Sequence, residues 1–285
     1  MNIKVIIMDI DGTLTDSKKQ ITPRTKEILL AAQEQGARLV LASGRPTKGL
    51  EGFAKELEMD KHHGLLVSYN GSAVTDAQTG ELLFSKTLSV SEGREILKHI
   101  GRFPELRPVV YKGGYIYTND LSRRYITVDG EPFDVIAYEA KCCCMEVREE
   151  PDLIGFADYP MNKVLTAADP EYLKAHCGEM SAPFDGKLNA VFTSPFYYEF
   201  TAGGIDKAEA LDCVLRPLGY KPEETAAFGD GQNDISMLKY AGLGVAMANA
   251  DEKVKEAADE ITLSNEQDGI AHVLERYFKL PSVNL

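Results

Sequence analysis

The chain has 285 residues, 44% of them hydrophobic, enough to bury one large core or two modest ones and to fold unaided. Its 44 acidic and 31 basic side chains give a formal net charge of −13, a field that disfavours nucleic acid and anionic membrane surfaces as partners. An anionic ligand would therefore need a site that gathers positive charge locally from lysine, arginine, backbone N–H groups or a metal. The five cysteines, Cys142, Cys143, Cys144, Cys177 and Cys213, are odd in number and lack zinc-site spacing, which argues against a disulfide scaffold, and the run Cys142 to Cys144 is read as small apolar packing groups. The first residues run into a short apolar stretch that Asp9 interrupts, with no signal-peptide core and no span of membrane length, so a cytoplasmic protein is expected.

In chain order, Ile3 to Met8 reads as a strand covered on both faces. A helix is predicted from Pro23 to Gln35, with Thr22 as N-cap, Pro23 in the first turn and Gly36 after its end. Arg38 to Ala42 is a second strand, Thr47 to Glu58 a helix, and Leu65 to Tyr69 a third strand ending at Asn70-Gly71, which together read as a parallel βαβαβ unit. The middle of the chain changes character. A hairpin turn at Tyr111 to Tyr115, strand-like runs at Met161 to Leu165 and Ala190 to Thr193, and a further strand over Cys142 to Val147 suggest an α+β insert. The alternation then resumes with a helix from Lys207 to Leu218, strands at Thr225 to Phe228 and Leu243 to Ala246, and helices after Asn233, over Asp251 to Ala258 and over Asp268 to Phe278. The expected fold class is α/β: a doubly wound, Rossmann-like parallel sheet over residues 1–82 and 203–285, interrupted by an inserted domain at 83–202.

In such a sheet, ligands bind beyond the carboxyl ends of the strands, so polar residues that follow each apolar run should converge. Those residues are Asp9 and Asp11, then Ser43, Gly44 and Arg45, then Asn70, then Gly229, Asp230, Asn233 and Asp234. Four clustered carboxylates repel one another and call for a cation, and an all-oxygen set without histidine or cysteine suits Mg²⁺. Lys207 in the first turn of its helix, the backbone N–H groups of Gly44 and near Gly12, and the Ser43 and Thr13 hydroxyls could complete a phosphate cradle. Asp9 then fits a nucleophile that attacks phosphorus, and Asp11 an acid/base serving the leaving alkoxide and water. Both would point into one site if strand geometry persists through Ile10. Two alternatives stay open: Asn70-Gly71 is a hairpin turn or lines the site, and Arg45 orients substrate or pairs with a core carboxylate.

Asp9-Ile10-Asp11-Gly12-Thr13-Leu14-Thr15 resembles the first motif of the haloacid dehalogenase-like (HAD) phosphatases. Ser43-Gly44-Arg45 resembles the second, Lys207 the third, and Gly229-Asp230-Gly231-Gln232-Asn233-Asp234 the fourth in its Cof-type form. Gly244 to Ala250 and Asp268-Gly269 are similar to further stretches of that subfamily, whose C2-type cap lies between motifs two and three. One departure is Gly203-Gly204-Ile205-Asp206-Lys207-Ala208, where relatives usually carry valine-serine before the lysine and glycine after it.

The resemblance implies an Mg²⁺-dependent phosphatase of small phosphorylated metabolites that works through an aspartyl-phosphate on Asp9. It also implies a metal held by the Asp9 carboxylate, the Asp11 backbone carbonyl and Asp230, with Asp234 close by. Phosphate would meet Ser43, Gly44, Lys207 and Asn233, and the cap would set specificity. The same core supports a phosphomutase, and a catalytically silent sensor of phosphorylated ligands is a third reading, which retention of Asp9, Asp11, Lys207 and Asp230 disfavours.

Overall fold

The apolar run near the start of the chain forms the central strand β1 (Val5–Met8), with all four side chains buried. A strand with no solvent face needs cover on both sides, and the alternating helices supply it. The computed structural model describes residues 2–280 and divides into two units, one running up to Ser85 and again from Asp206, the other Lys86–Ile205.

In the first unit, α1 (Pro23–Glu34) starts at a proline and is followed by Gly36 at φ +92. Thr22 precedes the helix but does not cap it with its side chain; its hydroxyl donates to the Asp268 carboxylate, tying α1 to a later segment. β2 (Arg38–Ala42) pairs parallel with β1, α2 spans Lys48–Glu56, and β3 (Leu65–Ser68) pairs parallel with β2. The chain then turns back through Tyr69–Gly71 into β4 (Ala73–Asp76) and β5 (Leu82–Ser85), both antiparallel additions to the same sheet. Asn70-Gly71 is thus a turn between antiparallel strands. Gly71 sits at φ +100 with an added Cβ only 2.2 Å from the Asp206 carbonyl oxygen, so a side chain there would push away the segment that leads into Lys207.

The second unit opens with α3 (Val90–Ile100), capped by the reciprocal Ser89 and Glu92 box. β6 (Arg107–Lys112) and β7 (Tyr115–Thr118) form the expected hairpin around Gly113 and Gly114, and β8 (Tyr125–Val128) with β9 (Glu131–Asp134) forms a separate ribbon. α4 (Val135–Cys143), β10 (Glu146–Glu149), the short α5 (Leu153–Phe156), β11 (Val164–Ala167), α6 (Pro170–Ser181), β12 (Leu188–Ser194) and β13 (Tyr197–Ala202) complete it. Its six-stranded sheet has the order β10-β7-β6-β11-β13-β12, and one hydrophobic cluster gathers Ile96, Val110, Val164, Leu173 and Phe200.

The strand expected over Cys142 to Val147 holds only from Glu146, where β10 begins, and is corrected for the cysteines. Asp134 caps α4 by accepting from the Ala137 N–H, the helix runs through Cys142 and Cys143, and Cys144 ends it in the left-handed region at φ 54. Cys143 is buried and donates to Glu139 Oε1 at 3.1 Å; burial and that carboxylate push its thiol up, away from the reactive thiolate.

The first unit resumes with α7 (Lys207–Leu215), β14 (Thr225–Gly229), α8 (Ile235–Tyr240), β15 (Leu243–Ala246), α9 (Glu252–Ala257), β16 (Glu260–Ile261) and α10 (Gly269–Leu274). Its eight-stranded sheet has the order β16-β15-β14-β1-β2-β3-β4-β5, parallel from β16 to β3. The chain winds outward from β1 through β2 and β3 on one side and from β14 through β15 and β16 on the other. The winding direction therefore switches between β1 and β14, where the carboxyl ends of a doubly wound sheet open a crevice.

Phe200 is fully buried in the cluster of the second unit. Phe200→Ala should lower the stability of that unit by about 3–5 kcal/mol, read as a lower urea midpoint by circular dichroism. An unchanged midpoint would contradict this packing.

Candidate active site

Asp9 follows β1 directly. Its N–H donates to Phe228 O at 3.0 Å, extending the pairing with β14 by one residue. There the strand ends: Leu14 N–H bonds Asp9 O at 3.2 Å, and Thr15 bonds Ile10 O through both its N–H (3.0 Å) and its hydroxyl (2.9 Å). The two aspartates consequently do not continue one strand face. Asp9 and Ile10 are buried, while the Asp11 carboxylate is partly exposed and bound to a different set of partners.

The buried part of the site is organised by Lys207, the first residue of α7, which is 0% exposed. Its ammonium donates to Asp9 Oδ1 at 2.7 Å, Asp234 Oδ1 at 2.5 Å and Ala42 O at 2.7 Å, so all three protons are used. These partners come from the ends of β1 and β2 and from the loop after β14. Asp234 uses its other oxygen to accept the N–H groups of Asp230 (3.0 Å) and Gly231 (2.9 Å), which folds that loop back on itself. Asp230 accepts the Thr13 hydroxyl at 2.6 Å. Gly12, at φ +87, lets the loop pass close by: a Cβ there would lie 2.3 Å from Asp230 Oδ2, so only glycine fits on both counts.

Around this centre, Ser43 is buried at the end of β2 and its Oγ accepts the Arg45 N–H at 3.2 Å. Asn233 Nδ2 donates to Asn70 Oδ1 at 3.0 Å, and the Asn70 amide lies against Gly44. The residues that follow β2, β3 and β14 therefore meet, and Asn70 is both a turn residue and a wall of this region. Arg45 pairs with a core carboxylate: its Nε donates to Asp11 Oδ2 and its Nη2 to Asp11 Oδ1, each at 2.7 Å. Lys19 Nζ adds a third contact to Asp11 Oδ1 at 2.7 Å.

Carboxylate oxygens of Asp9, Asp230 and Asp234 all lie within 4.8 Å of one another, and Asp11 contributes none to this cluster. Burial, then the nearby Asp234 charge, drives the Asp9 carboxyl well above the ordinary range despite Lys207. Burial raises Asp230 to about 6, against the Thr13 hydrogen bond. Asp11 behaves oppositely: burial pushes it up, but Arg45 and Lys19 outweigh that and hold it below its usual value. One lysine thus leaves the cluster with surplus negative charge, and an all-oxygen donor set of this kind fits a hard divalent cation.

Sequence reasoning missed Lys19, Asn249 and Asn265. Asn249 Nδ2 donates to Gly12 O at 2.8 Å, Asn265 Nδ2 donates to Thr15 O at 2.8 Å, and Asn265 N–H bonds Asn249 Oδ1 at 3.1 Å. This pair holds the loop after β1 from outside. The stretch Gly244 to Ala250 carried the only signal, as a likeness without a stated role.

A carboxyl whose pKa is raised on folding binds protons in the native state that it has lost in the unfolded chain, so its contribution to stability falls as pH rises. For Asp230, raised to about 6, the stability that its carboxyl contributes to the metal-free protein should therefore be lost as pH rises from about 4 through about 6, so the melting midpoint of the parent relative to Asp230→Asn should fall over that interval. Scanning calorimetry of both proteins in chelator would show the trend, and a parent-minus-variant difference that rises over that interval would contradict it. Gly12→Ala should displace Asp230 and lower stability by about 0.5–3 kcal/mol, read as a lower urea midpoint, and an unchanged midpoint would contradict the close approach.

The haloacid dehalogenase-like hydrolase family matches residues 6–274. A solved haloacid dehalogenase-like hydrolase from Bacteroides thetaiotaomicron superposes with a TM-score of 0.86 at 39% identity, covering 97% of this chain and 100% of that one. The solved HAD subclass IIB sugar phosphatase BT4131 superposes with a TM-score of 0.77 at 25% identity, covering 96% and 98%. The 5-amino-6-(5-phospho-D-ribitylamino)uracil phosphatase YcsE of Bacillus subtilis is 30% identical over 278 residues, 97% of this chain and 96% of its own. With its doubly wound sheet, its α+β insert and its convergent motif residues, the chain belongs to the haloacid dehalogenase-like hydrolases, as a Cof-type phosphatase of subclass IIB.

Proposed function

We propose that this phosphatase hydrolyses phosphomonoesters of small metabolites with Mg²⁺, through an aspartyl-phosphate formed on Asp9. The observation that carries the reading is the fully buried Lys207 ammonium joining Asp9 to Asp234 beside Asp230. A cation placed there at the cost of desolvation fits a site that must accept further anionic charge.

Asp9 and Asp230 are the residues we assign to the metal, together with the Asp11 backbone carbonyl. Asp234 stands close by, but both its oxygens already hold Lys207 and the Asp230 loop, so its assigned part is to anchor these. When bound, Mg²⁺ would neutralise the surplus carboxylate charge and polarise a phosphoryl oxygen. Ser43, Gly44 and Asn233 orient the phosphoryl group, and Lys207, whose three protons are held by Asp9, Asp234 and Ala42, adds positive charge beside it. An Asp9 oxygen attacks phosphorus, forming a new P–O bond as the bond to the ester oxygen breaks, and Asp11 gives its proton to the departing alkoxide. Asp11 then takes a proton from water, whose oxygen attacks the aspartyl-phosphate, releasing inorganic phosphate and restoring Asp9.

The substrate class is supported by two relatives. YcsE acts by name on a phosphorylated ribitylamino pyrimidine, and BT4131 is a sugar phosphatase. A phosphorylated sugar or polyol chain is therefore the first candidate, and we assign the choice among such substrates to the inserted unit. No helix among the described residues is long and apolar enough to cross a membrane.

Asp9→Asn should reduce phosphate release from sugar phosphates in Mg²⁺ by about 10³-fold or more, measured by a colorimetric phosphate assay. Release at the parent rate would contradict the reading. Adding Mg²⁺ to the chelated protein at pH 7 should raise its melting midpoint, and this gain should shrink in Asp230→Asn. An equal gain in the variant would remove Asp230 from the metal site.

A further inference from the structure

Lys19 lies outside every motif that resembles the family, yet its ammonium reaches Asp11 Oδ1 at 2.7 Å. A surface ion pair is the ordinary explanation, since both side chains are partly exposed, at 44% and 38%. Two observations set this pair apart. The first is backbone cost. Lys19 adopts φ +62 in a turn where Asp16 Oδ1 accepts the N–H groups of Lys18 and Gln20 and where Thr15 pairs with Ile21. Lysine rarely takes this left-handed conformation, which favours glycine or asparagine. A side chain that gains little from an exposed ion pair is thus kept in a strained backbone position that turns it back on the site.

The second observation is the valence of the Asp11 carboxylate. Oδ1 accepts Lys19 Nζ and Arg45 Nη2, filling both of its lone pairs, while Oδ2 accepts only Arg45 Nε. Among the described contacts one acceptor position remains, on Oδ2. Arg45 alone would hold the carboxylate by its fork but would leave Oδ1 open to a second partner, and the carboxyl free to serve the leaving group through either oxygen.

We propose that Lys19 is a positioning residue for Asp11: by closing Oδ1 it reserves Oδ2 for the oxygen of the leaving group. The proposal rests on the phosphatase reading above. It makes a distinction that a simple attraction of phosphate by a lysine does not make. An alkyl phosphate needs acid assistance to expel its poorly stabilised alkoxide, whereas a nitrophenyl phosphate departs without it, and kcat/KM reports the step up to expulsion of that group.

The test compares Lys19→Met, Lys19→Gly and Lys19→Arg with the full-length parent in Mg²⁺, using a hexose 6-phosphate and 4-nitrophenyl phosphate. Lys19→Met and Lys19→Gly should lower kcat/KM for the hexose phosphate about five- to tenfold, a fraction of the factor a general acid supplies, and that for the nitrophenyl ester by less than about twofold. Lys19→Arg should recover most of the loss. Lys19→Gly should melt no lower than the parent, because glycine accepts the turn without strain. Equal losses on the two esters, or a loss carried by KM alone, would show that Lys19 attracts phosphate and overturn the proposal. Unchanged kinetics, or a lower melting midpoint with parallel losses, would overturn it as well. If the parent released phosphate from neither ester, the phosphatase reading itself would fail, and this proposal with it.

Discussion

The structure of the site depends on one buried cation. Lys207 has no solvent contact and spends its three protons on Asp9, Asp234 and the carbonyl of Ala42, which belong to three separate strand ends. An ammonium in that position is tolerable only if every proton is satisfied and the neighbouring charge is negative. The carboxylates in turn are tolerable as a group only with that ammonium and a further cation. Each component therefore makes sense only in the presence of the others. The turn at Tyr69–Gly71, packed against the Asp206 carbonyl, and the Asp206 cap of α7 keep the lysine at the start of its helix.

A second layer of contacts holds the loop that carries the two aspartates. Gly12 passes the Asp230 carboxylate where no side chain fits, Thr13 bonds that carboxylate, and Asn249 and Asn265 secure the loop through its carbonyl groups. This anchoring explains how two aspartates two residues apart come to occupy different electrostatic surroundings. Asp9 is dominated by burial among like charges and Asp11 by two cations, so their carboxyl groups are driven in opposite directions. In the metal-free protein these shifts run against the assigned roles, since a nucleophile must be ionised and an acid protonated; a divalent cation held by the Asp9 oxygens would draw that carboxyl down and ionise it for attack.

How far the sequence revealed this arrangement follows from the range of each interaction. The apolar strands β1, β2 and β14 were legible because burial on both faces leaves an uninterrupted hydrophobic run, and the polar residues after those runs are the ones the structure gathers. The β4 and β5 hairpin was not legible: its strands are four residues long, and β5 is half exposed with no clean alternation. The cysteines at 142–144 suggested a strand by composition, but a helix cap at Asp134 several residues upstream decided otherwise. Lys207 by itself would pass for a surface lysine, and only its place in an ordered set of motifs pointed inward. Arg45 offered two partners in the sequence, and the fold chose Asp11, 34 positions earlier in the chain. Lys19, Asn249 and Asn265 act through one or two hydrogen bonds each at the loop after β1, which leave no periodic or compositional trace.

The central claim concerns Asp9, and acid quenching tests it most directly. The enzyme would be mixed with a sugar phosphate and Mg²⁺, quenched during turnover and digested at low pH, where acyl phosphates survive, and the peptides would be mapped by mass spectrometry. The account predicts a phosphoryl group on the peptide containing Asp9, localised to that residue and absent from the Asp9→Asn protein. Phosphate release with the phosphoryl group on another residue, or with incorporation of water directly into phosphate and no modified peptide at any quench time, would contradict it.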